Sequence, residues 1–143
     1  MSRGTEFVRS WLDAYNRGDV EALVEMCHPD VELCNPDGTF RGADGVRANF
    51  KPVIEAMSER STEVRAVVEE GDTVVAEFVI KGRHARPLVT PHGSIPPTGK
   101  ALLLPMIGIF ELREGKLASS RGQFDRMALA AQLGLLPDPV TTS

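Results

Sequence analysis

The stretch TEVRAVVEEGDTVVAEFVIKGRH, residues 62–84, decides the fold. Before it, apolar residues recur at helical spacing; from Thr62 onward the period is two. Within residues 73–84 the even positions Val74, Ala76, Phe78 and Ile80 make one apolar face, which Gly82 and His84 continue by parity. Glu70-Gly71-Asp72 supplies the turn, so residues 62–69 and 73–84 read as an antiparallel hairpin. A second hairpin follows, residues 101–113 and 116–124, turning at Glu114-Gly115.

Upstream, Val8, Trp11, Leu12 and Tyr15 form one apolar stripe and predict a helix over residues 6–16, with Thr5 as its cap and Gly18 as its stop. Asp19 caps a short second helix that ends at His28-Pro29, because the residue before proline leaves the helical region. Residues 31–34 read as a short strand and Asn35-Pro36-Asp37-Gly38 as a turn. A third helix is expected over residues 44–57, with Val46, Phe50, Val53, Ile54 and Met57 inward and a kink or early end at Pro52. A last helix runs over residues 126–133 and stops at Gly134. Helices first and long strands afterwards mean α+β, with helices on one face of a curved antiparallel sheet. Residues 1–136 are read as a single domain and 137–143 as a loose tail.

The 143 residues carry 16 basic and 20 acidic side chains, a net charge of −4, with no basic stripe, so nucleic acid is not an expected partner. The longest apolar run, residues 101–110, is too short to span a bilayer and contains Pro105 and Gly108, so no membrane is expected either. No leader-like apolar segment follows Met1, which makes the cytoplasm the expected compartment. Cys27, His28 and Cys34 lack the spacing and the fourth ligand of a zinc site. Gly42-Ala43-Asp44-Gly45 lacks the lysine of a phosphate loop, so no metal or cofactor is expected.

The candidate site residues sit mainly on the last strands. His84 ends a strand whose inward face is apolar, as an acid/base group or a packed residue. Met106, Gly108 and Phe110 share one face of residues 101–113 and can wall a cavity, and the opposite face is apolar too, as in a strand buried on two sides. If the odd positions of residues 117–125 face the concave side, Arg121, Gln123 and Asp125 enter a greasy pocket as a polar ladder. Asp125 also precedes a helix, where aspartate is a favoured cap. Tyr15 and Trp11 can stack on a planar ligand or simply pack the core. Residues 85–100, with four prolines, form either a lid or a stiffened hairpin extension.

WLDAYNRGD at residues 11–19, HPDVEL at 28–33, Arg41-Gly42, GRH at 82–84, IPPTGK at 95–100, EGK at 114–116, Phe124-Asp125 and QLG at 132–134 together resemble SnoaL-like proteins of the nuclear-transport-factor-2-like superfamily. The resemblance implies a cone-shaped roll, a sheet wrapped around the N-terminal helices, with a pocket at the wide end and a homodimer through the sheet's outer face. It implies polyketide cyclases that close a ring by aldol chemistry without cofactor, using an aspartate near the end of the last strand, the neighbourhood of Asp125. On that basis Asp125 is the expected base, and His84, Gln123 and Arg121 its polar partners around a small apolar ligand. The alternatives are an isomerase, a non-catalytic binder, a dimeric interaction module, or a limonene-type epoxide hydrolase, for which a second aspartate has no clear candidate. Against the cyclase pattern, the penultimate strand carries no polar pair, and the last strand has Ser120-Arg121-Gly122-Gln123 where relatives carry aromatic residues or histidine.

Overall fold

The computed structural model describes residues 2–136; the expected loose tail at 137–143 lies outside the described residues. Helix α1 (Arg3–Arg17) begins earlier than Thr5. The hydroxyls of Ser2 and Thr5 do not cap it but turn to the carboxylate of Glu69. Gly18, at φ 74°, ends it in the left-handed conformation, its N–H donating to the Tyr15 carbonyl at 2.9 Å. Asp19 caps α2 (Val20–Glu25) by accepting the Ala22 N–H at 3.0 Å.

Strand β1 (Cys27–Asn35) starts before Pro29 because extended backbone is what a proline imposes on its predecessor. It turns into β2 (Gly38–Arg41) and leads to α3 (Gly42–Ala56). Pro52 neither breaks nor shortens α3, contrary to expectation. The carbonyl it frees belongs to exposed Ala48, which water can satisfy. Strand β3 (Met57–Glu70) follows at once, with its register broken between Ser58 and Ser61 around Glu59, at φ 53°. There Arg60 folds back, donating to the carbonyls of Tyr15 at 3.3 Å and Ile54 at 2.9 Å and also to that of Met57. One guanidinium thus terminates both long helices.

Strands β4 (Thr73–His84), β7 (Ala101–Arg113) and β8 (Lys116–Phe124) complete a six-stranded sheet of order β2-β1-β8-β7-β4-β3. The sheet is mixed, not wholly antiparallel: β1 runs parallel to β8. Between β4 and β7 the proline-rich segment folds into a short hairpin, β5 (Leu88–Thr90) and β6 (Gly93–Ile95), the stiffened extension rather than an unstructured lid. Helix α4 (Arg126–Gln132) closes the described chain.

The core lies between the helices and the concave face of the sheet, where Val8, Trp11, Leu12, Val46 and Ile54 meet Leu33, Val74, Phe78 and Phe110. Register sets the relief of that face. Ala76, Gly108 and Gly122 are lateral neighbours on three adjacent strands, a low row between bulkier ones: Phe78 beside Met106 and Phe124 on one side, Val74 beside Phe110 and Ser120 on the other. One irregularity matters for β8. Glu111 pairs with Ser119 but Leu112 pairs with Leu117, so Ala118 is an extra residue and the alternation reverses there. Leu117 and Ser120 therefore both point inward.

The outer face of β7 is not buried within the chain: Leu103 and Ile107 are 48% and 51% exposed. Within one chain no described element covers that face; α4 reaches its Leu103 end, where the Gln132 amide clasps the Leu103 N–H at 2.8 Å and carbonyl at 2.7 Å.

Candidate functional site

A cavity of about 90 Å³ opens where the low row faces the helices. Trp11, Leu12, Tyr15, Asn49 and Phe50 form its helical side; Leu33, Phe78, Ile80, Met106 and Phe110 form its sheet side around Gly108 and Gly122. Cys34, Asn35, Ser120 and Arg121 complete it. An apolar cavity of about 150 Å³ admits benzene, so a ligand of several rings must push side chains aside or extend through the mouth. Met106, unbranched and half-buried, is the side chain best able to give way.

Four of the residues selected from the sequence meet here without qualification: Trp11, Tyr15, Met106 and Phe110 all line the cavity. Trp11 is also bound into the core, stacked on Phe7 at 5.9 Å and set edge-on to Phe50 at 5.5 Å and Phe110 at 6.5 Å between ring centroids. Burial pushes the Tyr15 phenol up to about 12 against the opposing charge of Arg60, so it keeps its proton at neutral pH.

Arg121 also touches the lining, and the other selected residues lie elsewhere. The bulge at Ala118 reverses the expected facing of β8, so Ser120 and Gly122 face the cavity, and of the odd-numbered set Arg121 alone is in its lining. The exposed Arg121 lines the cavity and pairs with Glu111 at 3.3 Å. The Glu111 carboxyl sits below its ordinary range because it accepts from the Ser119 hydroxyl and from Arg121. Gln123 is exposed and does not line the cavity. Neither does Asp125, which caps α4 by accepting the Ala128 N–H at 3.0 Å. His84 is on the inward face as parity requires and is 0% exposed, yet it too is absent from the lining. It ties down the segment before β7: Nδ1 accepts the Thr98 N–H at 3.3 Å and lies 3.0 Å from the Thr98 hydroxyl, and its backbone exchanges bonds with Lys100 and Gly99.

The lining holds three polar groups that the sequence alone does not single out: Asn35, Asn49 and Ser120. Asn49 is legible in one respect, since it lies three residues after Val46 and four before Val53 on the apolar stripe of α3. The Asn35 amide donates to Asn49 Oδ1 at 2.8 Å, and Asn35 Oδ1 accepts the Asp37 N–H at 2.8 Å. No aspartate, glutamate or histidine among the described residues lines the cavity. Among the described residues no cluster of three or more His, Cys, Asp or Glu could hold a metal ion, and no helix is long and apolar enough to cross a membrane.

Residues 8–120 match the SnoaL-like domain. The aklanonic acid methyl ester cyclase AcmA of Streptomyces galilaeus is 30% identical over 137 residues, 94% of this chain and 92% of that one. The structure of TsrD from Streptomyces laurentii superposes with a TM-score of 0.80 at 30% identity, covering 94% of this chain and 96% of the other. IdmH from Streptomyces antibioticus, a proposed polyketide cyclase, does so at 0.76 and 25% identity, covering 93% and 99%.

Proposed function

The chain belongs to the SnoaL-like polyketide cyclase family, and from that premise we propose that it takes an apolar, carbonyl-bearing, polyketide-like compound into this cavity and promotes its enolisation and ring closure without a cofactor. The observation that carries this reading is the lining itself: aromatic walls with a small set of hydrogen-bond donors, Asn49, Ser120 and the protonated Tyr15, gathered at one site. When an α-proton leaves a ketone, negative charge grows on its oxygen. Donors fixed in a largely dry site stabilise that charge more than they stabilise the ketone, which is what accelerates the step. Aromatic walls hold a chain folded so that the carbon nucleophile and the second carbonyl stay in reacting geometry. With no carboxylate or imidazole of the described residues in the lining, the proton departs to water at the mouth or to a basic oxygen of the substrate.

The same lack of a base favours a second reading, a binder that performs no chemistry. Proton–deuterium exchange at the α-carbon of β-dicarbonyl and polycyclic ketones, followed by NMR in D₂O, separates the two. The expected result is acceleration by the wild type, a loss of about 10²-fold in Asn49→Leu, and little change in Asp125→Asn, where the cap survives. Collapse of exchange in Asp125→Asn with Asn49→Leu unaffected would return the base to Asp125. Binding without acceleration would leave the binder.

The uncovered apolar face carrying Val68, Leu103 and Ile107 supports a homodimer formed through the sheet. Sedimentation velocity should find a dimer in the wild type and a monomer in Ile107→Lys; a monomeric wild type refutes the pairing.

A further inference from the structure

We infer that Asn35 is a positioning residue that sets the polarity of the site: it holds the Asn49 side chain with its amide nitrogen left for the ligand, so the cavity selects a hydrogen-bond acceptor, a carbonyl or enolate oxygen. This rests on the cavity being the ligand site, as proposed above.

A chain of hydrogen bonds, its direction fixed at one end, imposes the orientation. An asparagine side chain carries an oxygen that accepts and a nitrogen that donates, and its orientation follows from its partners. The first partner here is a backbone N–H, which can only donate. Pro36 has no N–H, and the Asp37 N–H is the one that reaches back to Asn35, at 2.8 Å. The atom of Asn35 receiving it must be Oδ1. Its other end, Nδ2, therefore faces Asn49 at 2.8 Å, and only Asn49 Oδ1 can accept from it. With that oxygen engaged, the group Asn49 has left to offer is Nδ2 with its two N–H bonds, and Asn49 lines the cavity.

The origin of the relay is itself anchored. Arg126, the first residue of α4, donates to the Pro36 carbonyl at 3.3 Å and pairs with the Asp37 carboxylate at 3.2 Å. Asp125 caps that helix one residue earlier. Helix α4 thus steadies the Asn35-Pro36-Asp37-Gly38 turn, and the turn dictates which atom of α3 meets the ligand.

One substitution reverses the relay. In Asn35→Asp both side-chain oxygens accept, so one keeps the Asp37 N–H and the other requires a donor from Asn49. The Asn49 amide must flip, offering Oδ1 to the cavity. The binding probes are acetophenone and α-methylstyrene, which share shape but differ in having a carbonyl oxygen or a methylene group. In NMR titrations of the full chain, the wild type should prefer acetophenone about fivefold, the usual scale of one net hydrogen bond. Asn35→Asp should erase that preference while leaving the affinity for α-methylstyrene unchanged, and Asn35→Ala, which frees Asn49 to rotate, should fall between. A preference for acetophenone retained in Asn35→Asp overturns the inference.

A second measurement needs no ligand. The scalar coupling transmitted across a hydrogen bond should link Asn35 Nδ2 to Asn49 Cγ in the wild type. In the Asn35→Asp variant it should instead link Asn49 Nδ2 to the introduced carboxyl carbon. Absence of the first coupling, or failure to reverse, overturns the inference even if neither probe binds. Failure of both probes to bind, with the couplings as expected, counts against the cavity as the ligand site and not against the relay.

Discussion

Trp11→Ala should lose about 3–5 kcal/mol of folding stability, the range for deleting a large buried aromatic side chain. Trp11 is 4% exposed and touches three other aromatic rings from α1, α3 and β7, so its removal leaves a void bordered by elements that cannot all close on it. A domain of this size holds roughly 5–15 kcal/mol in total, so the loss takes a large share of it. Urea unfolding followed by far-ultraviolet circular dichroism is the measurement to use, because Trp11 is the single tryptophan and its fluorescence vanishes with it. Trp11→Phe keeps a ring in place and should recover more than half. A loss below about 1 kcal/mol for the alanine variant would mean that Trp11 is a wall of the cavity and not a member of the core, since a wall residue gives up far less burial.

Arg60→Ala should cost about 3 kcal/mol for a different reason. Its guanidinium satisfies the carbonyls of Tyr15, Ile54 and Met57 at the ends of α1 and α3. Hydrogen bonds to a charged group contribute about 1.5–3 kcal/mol each when the acceptors are otherwise cut off from water, and helix ends expose carbonyls that need partners. The sum is less than additive because Met57 begins a strand and Tyr15 already accepts from Gly18. Arg60→Lys should recover less than half, since an ammonium on a flexible stem cannot reproduce the fork that spans two helices. The urea midpoint gives the result, and an Arg60→Lys variant as stable as the wild type would refute the shared-cap account.

Most of the architecture is legible in the sequence because periodicity is a direct consequence of burial. The stripe of Val8, Trp11, Leu12 and Tyr15 and the alternation from Val74 to Phe78 each survive into the fold. What the sequence conceals depends on neighbours distant along the chain. Thr5 has the chemistry of a cap, but Glu69 from β3 competes for its hydroxyl. Pro52 has the chemistry of a breaker, but it stands where the freed carbonyl faces solvent. An odd-numbered inner face for the last strand requires the alternation to run straight through Ala118, and a bulge leaves no composition of its own to warn against that. The polar part of the site is hidden for a related reason: Asn35 has turn chemistry and nothing more to show locally, and its partner Asn49 lies fourteen residues on. Only the packing of α3 against the β1–β2 hairpin brings the two together.

The bulge also has a consequence for how this protein can change. Because Ala118 is surplus to the pairing of β7 with β8, the far half of β8 behaves like a vernier scale whose zero is set by one residue. If the bulge were ironed out, with Ala118 kept and paired with Glu111 while the hairpin end stays fixed, the strand would slide by one place and exchange the occupants of its two faces, setting Arg121 opposite Gly108 and Gln123 opposite Met106 and sending Ser120 and Gly122 out. A site with almost no charge would turn a guanidinium and an amide inward in one step, with no residue lost and no side chain substituted. Families that keep one fold and vary their chemistry are usually pictured as editing residues in place; here the cavity can be rewritten by register alone.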